Sequence, residues 1–284
     1  MTQLREAMIE AMQVHGFSPR TQESYLAAVT SLATYFHRSP DQITPDEIQE
    51  YFVYLVKERH LCGASCRLHL NGQRFFYLQV LHRSEFDIPI IYPKRKERIP
   101  ELLTRAEIGR LIHGIDYDKH RMMMTLCYGC GLRVSELVAV KVNHIDGERH
   151  LLRVEQGKGS KDRLVIISDG LLLQLRHYWC QHHPSGWLFP GQDSERCLSV
   201  STPQKVYTNA KKRAGIEKQG GIHALRHAYA TNQLEDGLPV HQLQQQMGHT
   251  DIKTTLRYVH WVPHYHQSEV AYSELVAQLG EHHG

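Results

Sequence analysis

Fourteen residues, DIPIIYPKRKERIP (87–100), decide how the rest of the chain can fold. Pro89, Pro93 and Pro100 each lack a backbone donor and push the preceding residue out of the helical region. No helix or central strand runs through such a stretch. One helical pattern stops before it and another starts after it. The 284 residues therefore divide into two folding units. We expect a domain over 1–90, a linker over 91–100 and a second domain over 101–284. Lys94, Arg95 and Lys96 give the linker local positive charge. It reads either as a solvated connector or as a strap along a phosphate backbone.

The first 90 residues predict four short helices. Leu4, Met8, Ala11 and Met12 recur at helical spacing. Ser18-Pro19 reads as an N-cap with proline at the first helical position, followed by an apolar face of Tyr25, Val29, Leu32 and Phe36. Thr44-Pro45-Asp46-Glu47 is a capping box leading into Ile48, Phe52 and Leu55. A fourth helix is expected over 64–82, with Leu68, Phe75 and Leu78 on its apolar side.

A second capping box, Thr104-Arg105-Ala106-Glu107, opens the other domain. RHLLRVEQ (149–156) and RLVII (163–167) are β-prone, and the glycine-rich residues between them have hairpin chemistry. From Ser168 onward the pattern is mostly helical. The expected fold class is mainly α with a small β-sheet, an α+β arrangement.

Composition narrows the function classes. A net charge of +3 is too small to argue for a polyanionic partner, so such a claim must rest on local clusters. The opening MTQLREAMIEAM has no apolar signal-peptide core, and no apolar run is long enough to span a bilayer. The expected location is cytoplasmic, with no membrane partner. The six cysteines suit reduced thiols. Cys127 and Cys130 form a CxxC without a second ligand pair, which reads as buried thiols; no metal is expected.

Four motifs in the second domain hold groups suited to a phosphate. In GLRVSEL (131–137), Arg133 and Glu136 are three apart and would share a helix face. Taken alone, the pair is a weak surface ion pair. Lys158 lies in the hairpin turn, usually a solvated place, but a flexible ammonium there also reaches into a groove and supplies a proton. Lys161 is its rival for that role. His223 and Arg226 project from one side of a helix while Leu225 turns to the core. Gly248 stops a helix before His249, and a new helix from Asp251 carries Tyr258. A helical tyrosine is ordinarily half-buried packing.

Together, GLRVSEL, GKGSKDR (157–163), HALRHAYAT (223–231) and MGHTDIKTTLRYVH (247–260) resemble, in residue type and order, the motifs of the tyrosine recombinase or phage integrase family. The layout is most similar to its compact Xer-type members. The resemblance implies an N-terminal four-helix SAM-like core-binding domain and a C-terminal catalytic domain. It implies that Tyr258 attacks one DNA strand to form a 3′-phosphotyrosyl bond, which a 5′-hydroxyl later reopens. Arg133 and Arg226 match the arginines that grip the non-bridging oxygens, and Lys158 matches the general acid. His223 and His249 match the histidines that bond the phosphate or move the tyrosine proton, and Glu136 matches a supporting carboxylate. Lys94, Arg95, Lys96 and Lys161 are expected DNA contacts. The resemblance implies no metal or nucleotide cofactor. Its partners would be double-stranded DNA with specific recombination sites and, in a homotetramer, further copies of the chain in the nucleoid. A helix carrying Val270, Leu275, Val276 and Leu279 would pass to a neighbouring subunit.

The chemistry of the residues agrees. A phosphodiester repels nucleophiles and gathers charge in its transition state, which fixed guanidinium groups bind in pairs. Tyrosine is scarcely ionised at neutral pH and needs a base or a cationic pocket. Two other readings stay open on sequence alone. A DNA-binding regulator would explain the helices and linker, but not Tyr258 with Arg133, Arg226 and Lys158. A type IB topoisomerase-like enzyme would use similar groups without pairing two sites.

Overall fold

The computed structural model describes residues 3–83, 100–155, 162–193 and 195–262. The chain forms two compact units, Met1–Arg98 and Ile99–Gly284.

In the first unit, α1 (Gln3–Val14), α2 (Pro19–Phe36), α3 (Pro45–Lys57) and α4 (Gly63–Phe75) are the four expected helices. Ser18 caps α2 by accepting the Thr21 N–H at 3.3 Å. The Thr44 box forms in full: Glu47 takes the Thr44 N–H at 2.9 Å, and Thr44 Oγ1 takes the Glu47 N–H at 3.4 Å. After Phe75 the fourth helix widens into a π-helical turn over Phe76–Val80. That turn carries Phe76 and Tyr77 into the core, where the Tyr77 hydroxyl donates to Pro40 O at 2.6 Å. Met8, Met12, Leu32, Ile48, Tyr51 and Leu55 are buried around it. Leu68 departs from expectation and is exposed. The buried face of α4 runs through Cys66 and Gln73, and Leu68 lies across the helix from Cys66.

The second unit begins with α5 (Arg105–His113), whose Thr104–Glu107 box also forms. Next come α6 (Asp118–Gly129) and the short α7 (Val134–Val138). Three antiparallel strands follow in the order β1 (Ile145–Asp146), β2 (Leu151–Val154) and β3 (Arg163–Ile166). Leu152 faces Val165, and Val154 faces Arg163. The inner face of the sheet, with Leu152, Val154 and Val165, joins a core of Met123, Leu126, Leu172 and Phe189; Leu164 and Ile166 point outward and are exposed. The remaining elements are α8 (Asp169–His182), α9 (Ser201–Arg213), α10 (His223–Glu235), α11 (Val240–Met247) and α12 (Ile252–Val259). Most of α10 is buried, with Leu225, Ala228, Ala230 and Leu234 facing the interior.

Cys127 and Cys130 are buried thiols in this core, and burial pushes both up to about 12. Among the described residues, no helix is long and apolar enough to cross a membrane.

Two glycines shape the approach to the site. Gly131, at φ +57°, turns the chain out of α6; a Cβ there would lie 2.3 Å from the Tyr229 ring. Gly248, at φ +61°, ends α11; a Cβ there would lie 2.7 Å from Arg163 Cδ.

Candidate active site

Segments far apart in sequence meet around one carboxylate. The chain leaves the Gly131 turn extended, so Arg133 is not inside a helix beside Glu136, as the spacing suggested. It is the N-cap of α7, at φ −71° and ψ 152°. Glu136 reaches back to accept the Arg133 N–H at 2.8 Å and its guanidinium at 2.6 Å. The expected pairing is kept by a different local geometry.

Arg163, the first residue of β3, supplies a second guanidinium. Its two terminal nitrogens donate to the two Glu136 oxygens, each at 2.8 Å. Burial alone would raise the Glu136 carboxyl. The hydrogen bonds and charge of Arg163, joined by those of Arg133, outweigh it and hold the pKa at about 2.

A third guanidinium, Arg226 on α10, is 1% exposed. It lies 3.9 Å from Glu136 and donates to Gly131 O and Met247 O, each at 2.5 Å. Burial and the neighbouring Arg133 lower its pKa to about 10, so it stays charged at neutral pH.

The last carbonyls of α11 bind all three arginines in succession. Gln246 O accepts from Arg163 Nε at 2.9 Å, Met247 O from Arg226, and Gly248 O from Arg133 at 3.3 Å. A helix end leaves carbonyls unpaired and carries partial negative charge, so guanidinium groups suit it.

His249 follows directly. Arg226 donates to its Nε2 at 3.1 Å. An arginine can only donate, so Nδ1 carries the ring proton and gives it to Thr255 Oγ1 at 2.9 Å. Burial, then the charges of Arg226, Arg133 and Arg163, lowers the His249 pKa to about 3, and the ring is neutral.

Tyr258 lies parallel to His249, with centroids 6.2 Å apart and planes 3° off, and packs edge-on to Trp261 at 5.0 Å. The residue is 4% exposed, and its hydroxyl sits 3.0 Å from His227 Nδ1. Burial raises its pKa, with the charges of Arg226, Arg133 and Arg257 opposing. His223 is exposed one helical turn before His227, their rings edge-to-face at 4.7 Å. The packed protein behind it, then the charges of Arg226 and Arg133, keeps its pKa below the ordinary value.

The fold thus gathers Arg133, Glu136, His223, Arg226, His249 and Tyr258 into one region. Lys158 and Lys161 lie outside the described residues, as do Lys94, Arg95 and Lys96. The strands on either side of Lys158 and Lys161 are described: Val154 pairs with Arg163, whose guanidinium binds Glu136. Arg163, His227, Thr255 and Trp261 were not anticipated. Arg163 had a signal in strand alternation, since it shares a face with buried Val165. His227 had none beyond standing next to Arg226. Three guanidinium groups against one carboxylate leave the pocket cationic, which suits an anion with several oxygens.

A sequence profile of the phage integrase family matches residues 101–264, and one for the SAM-like N-terminal domain of phage integrases matches residues 4–85. An integrase/recombinase of Sinorhizobium fredii is 37% identical over 260 residues, which is 91% of this chain and 84% of that protein. A tyrosine recombinase of Thermosipho africanus is 30% identical over 261 residues, 87% of this chain and 90% of that protein. A lambda integrase dimer bound to a COC′ core site has the same fold, with a TM-score of 0.73 at 18% identity, over 89% of this chain and 76% of that one. With matches that run through both units and four motifs in order, the chain belongs to the phage integrase family of tyrosine recombinases.

Proposed function

We propose that this chain is a site-specific DNA recombinase in which Tyr258 cuts and rejoins strands of double-stranded DNA. The tyrosine oxygen attacks a scissile phosphodiester and keeps the bond energy in a 3′-phosphotyrosyl link. Arg133 and Arg226 stabilise charge on the non-bridging oxygens, where a preorganised donor typically contributes about 10²–10³ in rate. Lys158 protonates the departing 5′-oxygen, with Lys161 the alternative for that role. Glu136 orients the arginines, and His223 and His249 border the phosphate. Lys94, Arg95, Lys96 and Lys161 contact the DNA backbone.

One observation carries this reading: the Tyr258 ring lies parallel to His249 with centroids 6.2 Å apart, and His249 takes a hydrogen bond from Arg226. The tyrosine and the buried guanidinium thus stand on either side of one imidazole. Arg226 has its terminal nitrogens on backbone carbonyls in this conformation. Gly131 O, Met247 O and His249 Nε2 take three of its five N–H donors, so a phosphate oxygen can be gripped with the other two. Arg133 is more open, with 21% of its side chain exposed, and meets the substrate first.

The test is covalent trapping. Duplexes nicked near the target site should remain attached to the protein after denaturation, and Tyr258→Phe should attach none. Trapping by Tyr258→Phe would overturn the assignment. We further assign a homotetramer on two paired sites, acting at the nucleoid in the cytoplasm. Residues 264–284 lie outside the described residues; deleting them should impair site pairing more than binding to a single site.

A further inference from the structure

Among the described residues, the Tyr258 hydroxyl has one hydrogen-bonding side chain, and the roles assigned above leave it unused. His227 Nδ1 lies 3.0 Å from that oxygen. We propose that His227 is a catalytic residue, the acceptor of the phenolic proton when Tyr258 attacks DNA. The inference rests on the reading of Tyr258 as nucleophile.

The neighbouring histidines are poorly placed for the same task. His249 presents its ring face to Tyr258, and both its nitrogens are taken, one by Arg226 and one by Thr255. His223 meets the ring of His227 rather than the tyrosine. His227 is held in place from several sides. It stands on α10 next to Arg226, with His223 a turn earlier, and Trp261 packs edge-on at 5.6 Å. Tyr258 covers it from α12 at 5.6 Å. In the tautomer with its proton on Nε2, the Nδ1 lone pair points at the phenol, within the reach proton transfer needs.

The electrostatics fit. Burial, then the charges of His223 and Arg226, lowers the His227 pKa to about 4, so the ring is neutral near pH 7 and free to accept. A phosphodiester entering beside Arg226 brings negative charge. It offsets the cationic part of that shift and makes His227 more basic when substrate is present.

The step balances. A bond forms between the tyrosine oxygen and phosphorus as the bond from phosphorus to the 5′-oxygen breaks. The phenolic proton moves to His227 Nδ1, and the 5′-oxygen leaves with a proton from Lys158. In rejoining, the 5′-hydroxyl gives its proton to Lys158, and the imidazolium returns its own to the departing tyrosine.

The experiment offers the full chain a pool of nicked duplexes with randomised sequence and recovers those trapped covalently. If the unsubstituted protein traps none, the nucleophile reading falls and this proposal with it. On a recovered duplex, His227→Gln and His227→Ala are expected to slow single-turnover attachment by about 10²–10³-fold, with DNA affinity unchanged. Imidazole in solution should restore part of the His227→Ala rate. A rate within about threefold of the unsubstituted protein overturns the proposal alone, on the same scale of general-base effects. A loss that imidazole leaves unchanged also overturns it and assigns His227 to packing. A duplex with sulfur in place of the bridging 5′-oxygen separates the two proton transfers, because a thiolate leaves without an acid. Lys158→Ala should recover on it and His227→Gln should stay slow; recovery of His227→Gln would make it the acid and sink the proposal.

Discussion

Arg163 meets Glu136 with both terminal nitrogens, 2.8 Å to each carboxylate oxygen, although 27 residues separate them in the chain. The pair is buried, with 10% of one side chain and 4% of the other exposed. A guanidinium holds such a fork rigidly, so the carboxylate is fixed before it orients Arg133. Arg163 therefore braces the site from behind while Arg133 faces outward.

Removing that brace leaves a buried carboxylate with one close partner fewer. Arg163→Ala is expected to cost about 3–5 kcal/mol in urea unfolding. Arg163→Lys keeps the charge but loses the fork and should fall between. A cost below about 1 kcal/mol, the size of an exposed pair, would show that the fork is not structural.

Acid should loosen the second unit in stages. The folded pKa values of His249 and His227 are lowered from 6.5 to about 3 and about 4. The unfolded chain therefore takes up these protons first. The stability they support is complete above pH 6.5 and is lost as pH falls through 4 and 3. Glu136 is lowered from 4.5 to about 2, so its share is present above pH 4.5 and is lost between there and pH 2. Calorimetry should find a melting temperature that declines below pH 6.5, and His249→Gln should flatten the decline between pH 6.5 and 4.

The turn at Gly131 should tolerate no side chain. Gly131→Ala forces φ +57° on an L-residue and places its Cβ 2.3 Å from the Tyr229 ring. The strain and overpacking should cost about 2–4 kcal/mol in chemical denaturation. Gly248→Ala pushes instead on Arg163, 2.7 Å away at Cδ. Its cost should shrink when Arg163→Ala is already present, since the two share one contact. Additive costs would show that the clash is relieved elsewhere.

Arg133→Lys should separate chemistry from binding. The ammonium keeps the charge but cannot reproduce the spread of contacts to Glu136 and Gly248 O. Single-turnover attachment to DNA should fall by about 10²–10³-fold. Affinity should change little, and its salt slope should be kept. Arg133→Ala should reduce that slope by about one.

Much of this was legible because it is local. Both threonine capping boxes formed as written. The hairpin followed from two β-prone runs. The illegible parts depend on contacts between distant segments. β1 is two residues long and exists only because Ile145 finds Leu152. Arg133 caps α7 rather than joining it because Gly131 delivers it extended. Alternation along β3 turns Arg163 inward, but nothing near it in sequence names Glu136 as its partner. His227 gains its partner only when α12 packs on α10.

The carbonyls of Gln246, Met247 and Gly248 hold the three arginines, and the segment carrying Tyr258 hangs from the very next residue. Held at one backbone joint, the guanidinium groups and the ring of Tyr258 share a common frame, so a shift of residues 246–248 displaces both together.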